Sequence, residues 1–271
     1  MSPSAPQRSL FGLPFAALRT GEVVEACADV VRHGGQLSIG VANAAKVVGM
    51  RRDRTLWDAT LACDLLLADG MSIVWASRLL GRPLPERVAG IDLFVELLRQ
   101  AESLGRSVYF LGAEEGVLRA MLARLSREYP TLHVAGARHG YFGDAEEPAI
   151  ADAIRDSGAD YLFLGMSSPK KEIFLARWAR PIGVRICHGV GGSFDVLAGK
   201  TRRAPRWMRR AGLEWSYRLI QEPRRLWKRY LFTNLAFLGL VLKERFSPAP
   251  PAPRPAPPAA RSSPPNRPVV L

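Results

Sequence analysis

The sequence predicts an α/β protein with a Rossmann-like parallel sheet flanked by helices, followed by a basic helical C-terminal appendage. Short apolar runs alternate with longer helical patterns, which is typical of parallel strands joined by crossover helices. Several of the runs end in glycine or another small residue before a polar helix start. With 271 residues, 48% of them hydrophobic, the chain is long enough for one substantial core and an extension.

Six apolar runs are predicted as strands, and each is followed by a helical segment or a turn. The predicted strands cover residues 36–41, 64–68, 107–112, 132–135, 160–165 and 184–189. The predicted helices cover residues 44–50, 71–80, 91–104, 115–129, 148–157 and 169–179. Because ligands of open α/β sheets bind at the carboxyl ends of the strands, we expect the functional site there.

The chain divides into three predicted regions. Residues 1–199 form the α/β catalytic domain, and residues 200–246 form the appendage, whose pattern from position 205 onward is helical without strands. Residues 247–271 are rich in proline, alanine and arginine, cannot build a core, and are predicted to be disordered.

All of the net charge, +13, lies in the last quarter of the chain. Residues 200–271 carry 16 Lys and Arg against 3 Asp and Glu, whereas residues 1–199 carry 22 of each sign. Aromatic residues are interspersed among these arginines: Trp207, Trp215, Tyr217, Trp227, Tyr230 and Phe232. Such a segment suits a polyanion, either a nucleic acid or an anionic membrane surface. The alternative is a solvated basic helix that only aids solubility.

The remaining composition indicates a cytoplasmic protein that is soluble or peripheral to a membrane. Cys27, Cys63 and Cys187 lie among apolar neighbours without metal-like spacing, as reduced core cysteines do. No basic, apolar leader opens the chain, and no stretch reaches the roughly 20 apolar residues that cross a bilayer. The nearest approach, residues 230–242, is too short.

Two aspartates at the predicted sheet edge are candidates for chemistry. Asp69 follows a buried strand, where a general base belongs, but an aspartate before a helix start is also an ordinary N-cap, and the spacing alone favours the cap. Asp195 follows a glycine-rich run, residues 189–194, where small residues allow close backbone approach to a ligand. A tight strand-to-helix turn explains the same glycines, and the two interpretations are compatible.

Several common nucleotide and hydrolase motifs are missing. The chain has no GxGxxG, no GxxxxGK[ST], no GxSxG after a strand and no Asp-x-Asp. The four histidines show no ligand spacing. We therefore expect no metal and no cofactor, and a diphosphate leaving group would have to be neutralised by positive side chains, which the appendage supplies.

A series of short motifs, in register over residues 35–246, resembles the WecG/TagA/CpsF glycosyltransferases. They are Val41-Ala42-Asn43, Leu67-Ala68-Asp69-Gly70-Met71, Glu86-Arg87-Val88-Ala89-Gly90-Ile91-Asp92, Tyr109-Phe110-Leu111-Gly112-Ala113, Gly140-Tyr141-Phe142, Gly165-Met166-Ser167-Ser168-Pro169-Lys170-Lys171-Glu172, the run 189–195, Arg203-Ala204-Pro205-Arg206-Trp207 and Gly212-Leu213-Glu214-Trp215-Ser216-Tyr217-Arg218-Leu219. The proline-rich tail lies outside the resemblance.

The resemblance implies inverting transfer of a sugar from a UDP-sugar to a polyprenyl-diphosphate-linked saccharide at the cytoplasmic face of the membrane. The family's base falls on Asp69. Its sugar-donor site falls on Asn43, Arg87, Gly112, Lys171, Gly191 and Asp195. Its phosphate- and acceptor-binding cations fall on Arg218, Arg225 and Lys228. The expected partners are these two substrates and an anionic membrane surface, and no nucleic acid is expected to bind. Whether the protein forms a homo-oligomer is left open by the sequence.

Two positions depart from the family pattern. Val41 stands where the family usually has threonine, which removes a hydroxyl near the substrates. Lys171 stands where the family usually has glutamine, which places a cation where an amide normally contacts the sugar. The cation at Lys171 predicts a preference for an acidic sugar donor, such as a UDP-uronic acid. An N-acetylmannosamine-type sugar is the other expected donor. Pairing of Lys171 with a local carboxylate is the alternative.

Two other functions fit the same residues. One is a nucleic-acid-binding α/β protein whose basic tail contacts phosphates, although the chain carries no recognition motif for it. The other is a Rossmann-type enzyme that uses a different nucleotide, with the appendage as an oligomerisation helix.

Overall fold

A computed structural model describes residues 5–205, 207–208, 212–221 and 223–247. Of the tail predicted to be disordered, residues 248–271 lie outside this described part. Within it, the fold is α/β with a mostly parallel sheet of eight strands. The predicted fold class is confirmed at that level.

The sheet has the strand order β1-β2-β4-β3-β8-β7-β5-β6. Its strands are β1 (Gln7–Leu10), β2 (Leu13–Ala16), β3 (Leu37–Ala42), β4 (Leu65–Ala68), β5 (Ser107–Gly112), β6 (His133–Arg138), β7 (Tyr161–Gly165) and β8 (Ile186–Gly189). Only β1 and β2 pair antiparallel; every other neighbouring pair is parallel. The six predicted strands correspond to β3–β8.

Helices connect the strands and cover both faces of the sheet. They are α1 (Thr20–His33), α2 (Ala44–Met50), α3 (Arg54–Leu61), α4 (Met71–Leu79), α5 (Gly90–Ser103), α6 (Glu115–Glu128), α7 (Glu147–Asp156), α8 (Lys170–Ile182), α9 (Ser193–Leu197), α10 (Glu214–Gln221) and α11 (Pro223–Phe246). Alternate residues of each strand enter opposite cores: Val108 and Phe110 pack with α5 and α6, whereas Tyr109 and Leu111 pack with α7 and α8. Helices α1, α3 and α9 were not predicted from the sequence.

The N-terminal hairpin, which was also not predicted, extends the sheet at one end. Phe11 and Gly12 turn the chain with φ of 57° and 74°, the left-handed backbone that two-residue hairpin turns require. Pro14 lies in β2, opposite Ser9 of the edge strand. The apolar residues of this hairpin join the core formed by α2, α4 and β4.

The second half of α11 packs against this hairpin and α2. Phe237 and Val241 are buried in the same core, and the rings of Phe11 and Phe237 lie 5.1 Å apart. The Glu244 carboxylate accepts a hydrogen bond of 2.6 Å from Phe11 N–H and pairs with Arg82 at 2.8 Å. This part of the region predicted as an appendage is therefore joined to the α/β body, while the division at residue 199 stays a prediction.

No helix in the described part of the chain is both long enough and apolar enough to cross a membrane.

Candidate active site

The loops that follow β3, β4, β5, β7 and β8 meet at the carboxyl edge of the sheet, as the sequence predicts. A cleft of about 720 Å³ opens there. Its lining comes from the ends of β5, β7 and β8 and from the loop after β6, and includes Ala113, Tyr141, Met166, Gly191, Gly192 and Asp195. Its volume is that of a small-molecule binding site.

Glycine is required where two strand ends meet beside this cleft. Gly112 has a φ of 146°, and a Cβ there would lie 2.5 Å from the carbonyl carbon of Gly165. A Cβ on Gly165 would in turn lie 2.3 Å from the ring of Phe194. Gly112 and Gly165 therefore allow the close approach that shapes the cleft, so packing alone accounts for Gly112. Its predicted contact with a sugar donor stays a prediction.

Asp69 and Asn43 lie side by side at the ends of β4 and β3. The Asp69 N–H donates to Ala42 O at 2.9 Å, and a Cβ added to Gly70 would lie 3.4 Å from Asn43 Cβ. Asn43 caps α2, because its side chain accepts from Lys46 N–H at 3.0 Å. The N-cap of α4 is Gly70, and the Asp69 carboxylate accepts from Gly90 N–H, at the start of α5, at 3.1 Å. The Asp69 carboxylate is thus bound by the backbone at the start of α5, whereas α4, the helix that follows Asp69 in the chain, has Gly70 as its N-cap.

Behind these two residues lies a buried cluster of three charges, Lys46, Glu172 and Lys171, whose side chains are 8%, 3% and 11% exposed. Glu172 Oε1 accepts from Lys46 Nζ at 2.9 Å and from Lys171 Nζ at 2.5 Å. Ser168 bridges the cluster: its hydroxyl donates to Glu172 at 2.9 Å and accepts from Lys171 at 2.6 Å. The other carboxylate oxygen, Oε2, has no hydrogen-bond partner among the residues that the structure describes.

The charges of this cluster act on one another. Burial alone would raise the pKa of Glu172, but Lys171 and Lys46 outweigh burial and hold that pKa below its ordinary value. Burial lowers the pKa of Lys171, against the opposing pull of Glu172 and, more weakly, of Asp69. The Lys171 stem packs on Gly189, where a Cβ would lie 3.2 Å from Lys171 Cδ. Lys171 therefore has a local carboxylate partner, and its predicted contact with the sugar stays a prediction.

Arg87, predicted to bind the sugar donor, belongs to a four-residue ion network that ties α10 to the start of α5. Arg87 pairs with Glu214 at 3.4 Å and lies 4.0 Å from Asp92. Arg203 forms two hydrogen bonds with Asp92, at 2.6 and 2.8 Å, and pairs with Glu214 at 3.4 Å. The network holds the beginning of the C-terminal helical segment over the edge of the sheet where Asp69 lies.

Asp195 and Gly191 lie on the wall of the cleft, and their contact with a sugar donor stays a prediction. Asp195 is in the first turn of α9, and Gly191 adopts a φ of 56°. Lys200 pairs with Glu114 at 3.0 Å and lies 3.8 Å from Asp195. Glu114 and Asp195 both line the cleft, so its wall presents carboxylate acceptors for hydroxyl groups. It also presents backbone amides as donors.

Of the three predicted phosphate-binding cations, the described residues settle the surroundings of one. Lys228 is exposed on α11, with its ammonium 5.6 Å from the centre of the Trp227 ring. The side chains of Arg218 and Arg225 lie outside the described part of the structure. The role of all three in binding phosphate stays a prediction.

Several residues that build the site were not predicted from the sequence. Lys170 Nζ donates to Gly140 O at 3.0 Å and Phe142 O at 2.6 Å, and lies 3.7 Å from the Phe142 ring centre, so it fixes one wall of the cleft. Lys46, Arg203 and Glu214 were likewise not assigned. The signal for Lys170 was its place beside Lys171 in one motif; Lys46 lies three residues after Asn43.

Comparison with known proteins identifies the family. Residues 8–250 match the model of the glycosyl transferase WecG/TagA/CpsF family. The chain is 36% identical over 195 residues to the N-acetylglucosaminyldiphosphoundecaprenol N-acetyl-beta-D-mannosaminyltransferase of Bacillus spizizenii, which covers 72% of this chain and 75% of the relative. It is also 36% identical over 194 residues, with the same shares, to the protein of the same name from Bacillus subtilis. The match extends over the strand ends that carry Asn43, Asp69 and Asp195, and the chain belongs to the WecG/TagA/CpsF family of glycosyltransferases.

Proposed function

We propose that this glycosyltransferase moves an N-acetylmannosamine-type sugar from its UDP derivative to a polyprenyl-diphosphate-linked saccharide, with inversion, in the synthesis of a cell-surface polymer. The names of the two Bacillus relatives support the donor sugar and the lipid-diphosphate acceptor. The observation that carries the proposal is the Asp69 carboxylate, which follows β4 at the carboxyl edge of the sheet and is held there by Gly90 N–H.

In the proposed reaction Asp69 acts as the general base. It takes the proton of the acceptor hydroxyl as that oxygen attacks the anomeric carbon from the face opposite UDP. The new bond between the acceptor oxygen and the anomeric carbon forms while the bond to the UDP oxygen breaks, which inverts the configuration. UDP leaves with the electron pair of the broken bond, and the proton stays on Asp69.

The cleft is the proposed site of the UDP-sugar. The carboxylates of Asp195 and Glu114 suit ribose or sugar hydroxyls, and the exposed backbone at Gly191 and Gly192 suits a phosphate or sugar oxygen. Lys171 is paired with Glu172 and buried, so its charge is already compensated. The proposal therefore favours a neutral sugar over the uronic acid that the sequence alone suggested.

Cations of the C-terminal segment are proposed to offset the charge that develops on UDP. Arg218, Arg225 and Lys228 are the candidates, and arginine suits phosphate because its planar group donates two parallel hydrogen bonds. The ion network of Arg87, Glu214 and Arg203 supports this role, since it holds the start of that segment at the edge of the site.

The protein is further proposed to work as a peripheral protein at the cytoplasmic face of the membrane. Five apolar side chains on α11 are about half exposed and recur at intervals of four, four, three and four residues: Trp227, Leu231, Leu235, Leu238 and Leu242. This spacing places them on one helix face. Exposed cations, among them Arg224, Lys228 and Lys243, flank them. An apolar face with basic neighbours suits the headgroup region of an anionic bilayer.

A transfer assay with the full chain tests the proposed function. UDP-N-acetylmannosamine, UDP-N-acetylglucosamine and a UDP-uronic acid are each supplied with a synthetic lipid-diphosphate N-acetylglucosamine acceptor. We expect transfer from the first of these, and a loss of about 10²–10⁴-fold in Asp69→Asn, which removes the basic oxygen and keeps the size of the side chain.

The matched control is Asp53→Asn. Asp53 caps α3 by accepting from Leu56 N–H at 2.9 Å, and asparagine is an equally good cap, so this variant should transfer at the wild-type rate. Wild-type activity in Asp69→Asn would remove Asp69 from the chemistry. No transfer from any of the three donors by the wild-type chain would contradict the proposed substrates.

A further inference from the structure

His188, the third residue of β8, is fully buried between two carbonyl oxygens. Its Nδ1 lies 3.3 Å from Ile39 O in β3, and its Nε2 lies 3.2 Å from Gly90 O at the start of α5. Burial lowers the pKa of His188, the two carbonyls oppose that shift, and the nearby Lys171 ammonium adds to it. The ring is therefore neutral near pH 7, and a neutral imidazole donates only one hydrogen bond.

Gly90 connects this histidine to the candidate base. It is the first residue of α5, a helix of 14 residues, and its N–H donates to Asp69 Oδ1 at 3.1 Å. Its carbonyl faces His188. The same residue therefore contacts the carboxylate through its amide and the buried histidine through its carbonyl. The amino end of a helix also carries partial positive charge, which favours a carboxylate there.

We propose that His188 and Gly90 form a positioning pair for Asp69. His188 donates Nε2–H to Gly90 O and fixes the beginning of α5, and Gly90 N–H then holds the Asp69 carboxylate in its ionised form, turned toward the acceptor hydroxyl. Neither residue touches substrate in this arrangement. The inference rests on the proposed role of Asp69 as the base.

The charged groups around Asp69 constrain how the pair acts. Lys171 lies on the side of α8, near enough for its charge and that of Asp69 to affect each other, and its own partner is Glu172. Two hydrogen bonds of Asp69 in the described part of the structure are to backbone groups: its N–H donates to Ala42 O, and its carboxylate accepts from Gly90 N–H. The amide of Gly90 can thus be removed without changing a side-chain charge.

Gly90→Pro is the sharpest test, with Gly90→Ala as its matched control. Proline is well accepted at the first position of a helix, and Ala89, with φ of −74° and ψ of 126°, already has the backbone that precedes proline. Gly90→Pro replaces the N–H that faces Asp69 with the ring Cδ, which cannot donate and displaces the carboxylate from its present position. Gly90→Ala retains the N–H, and the added Cβ lies 3.5 Å from Val41 and 4.0 Å from His188, which are ordinary contacts.

We expect Gly90→Pro to lower kcat roughly 10- to 100-fold, the value of one hydrogen bond to a charged group. The KM for the sugar donor should change little, and the acidic limb of the kcat profile should move to higher pH, because the carboxylate loses a hydrogen bond that favours its ionised form. Gly90→Ala retains the N–H, so its acidic limb should stay at the wild-type pH and its kcat should fall far less than that of Gly90→Pro. A Gly90→Pro variant with the wild-type kcat and pH profile would overturn the proposal.

His188 is tested by His188→Leu, His188→Gln and the control Ile186→Ala in the same buried strand. His188→Leu removes the donor, and we expect a lower kcat with the same shift of the acidic limb as in Gly90→Pro. In His188→Gln the side-chain amide nitrogen can donate to Gly90 O in place of Nε2. This variant should therefore have a higher kcat than His188→Leu and a smaller shift of the acidic limb. Ile186→Ala should lower Tm without moving the pH profile. If the acidic limb moves equally in Ile186→Ala, or moves in neither of the two His188 variants, His188 contributes to packing alone.

A readout independent of turnover separates this inference from the proposed function. The Asp69 carboxyl carbon is observed by ¹³C NMR and assigned by its absence in Asp69→Asn. Its titration midpoint should rise in Gly90→Pro and stay unchanged in Gly90→Ala. A wild-type chain inactive toward all sugar donors would contradict the proposed function alone. Active wild type with an unchanged Asp69 titration in Gly90→Pro would contradict only the positioning pair.

Discussion

At the scale of single residues, Glu172 compensates the charges of two lysines in a buried cluster. Its carboxylate contacts Lys46 at 2.9 Å and Lys171 at 2.5 Å. Removing one member of a buried ion cluster is costly because its partners keep their charges without compensation. The three residues come from α2 and α8, so the cluster also fastens these helices to each other beneath Asn43.

We predict that Glu172→Gln lowers the free energy of unfolding by about 3–5 kcal/mol, because two ammonium groups lose their carboxylate. Lys171→Gln leaves the pair of Lys46 and Glu172 intact and should cost less than about 2 kcal/mol. Urea unfolding of both variants measures the difference. Equal losses in the two variants would show that Glu172 does not organise the cluster.

His188 gives the stability of the protein a defined dependence on pH. Its folded-state pKa lies below 6.5, the ordinary value that the unfolded chain retains. Below pH 6.5 the unfolded chain therefore binds a proton that the folded protein does not, and stability falls as the pH drops toward the lowered pKa. Above pH 6.5 both states are neutral and the effect vanishes.

We predict that the difference in unfolding free energy between the wild type and His188→Gln narrows as the pH falls from 7 to 5. The glutamine variant has no proton to take up at this position, so it lacks that part of the acid destabilisation. Urea titrations at half-unit pH intervals supply the comparison. A difference that stays constant over this range would mean that His188 titrates alike in the folded and unfolded states.

At the scale of secondary structure, α11 has two faces with different tasks. Phe237 and Val241 face the core, and Glu244 fastens the helix to Arg82 and the N-terminal hairpin. The five apolar side chains from Trp227 to Leu242 lie exposed. Deleting everything after residue 199 would uncover Phe11 and its neighbours, so point substitutions test the exposed face more cleanly than truncation.

We predict that the combined variant Leu231→Gln, Leu235→Gln and Leu238→Gln weakens binding to phosphatidylglycerol-containing vesicles at least about tenfold. Each buried leucine side chain contributes about 1.5–3 kcal/mol when it leaves water. Tm should hardly change, because these side chains are exposed in the folded protein. Co-sedimentation with vesicles measures binding.

The control for this experiment changes exposed apolar residues elsewhere. Leu61 on α3 and Val134 on β6 are about 40% exposed, and Leu61→Gln with Val134→Gln should bind vesicles like the wild type. Vesicle binding that survives the α11 substitutions would place the membrane contact on another surface.

At the scale of the whole molecule, the neutral body and the cationic C-terminal segment are expected to share one reaction. The body carries the candidate base and the cleft, and the last quarter carries the net charge of +13. In the proposed function those cations do what a divalent ion does in enzymes that hold a diphosphate with paired aspartates. The chain has no Asp-x-Asp.

We predict that transfer proceeds at the same rate in excess EDTA as in buffer with Mg²⁺. Side chains such as Arg218 and Arg225 would neutralise the leaving UDP, so chelation should remove nothing that the reaction needs. The assay compares rates in EDTA, Mg²⁺ and Mn²⁺ on the same enzyme stock. Activity that disappears in EDTA and returns on titration with a divalent cation would contradict this.

The sequence by itself determined which six segments form the central strands and the edge of the sheet at which the site lies. Buried parallel strands are short apolar runs whose carboxyl ends meet at one edge, so Asp69 and Asp195 were predicted there. Asn43 and Gly112 were added by the resemblance to the family. The hairpin was missed because Gly12 and Pro14 interrupt its apolar run. Helix α3 was missed because only two of its buried side chains, Leu56 and Ala59, are apolar, which gives no clear apolar period.

Only the tertiary structure decided which charges and carbonyls meet. Lys46 and Glu172, Arg87 and Glu214, and His188 and Gly90 are each about 100 or more residues apart in sequence. Hydrophobic periodicity reports which face of an element is buried, and it carries no information on which polar groups face each other across two packed elements. The resemblance to the family therefore predicted Asp69 as the base, whereas the contacts around Asp69 and Lys171 depend on how α5 and α8 pack against the sheet.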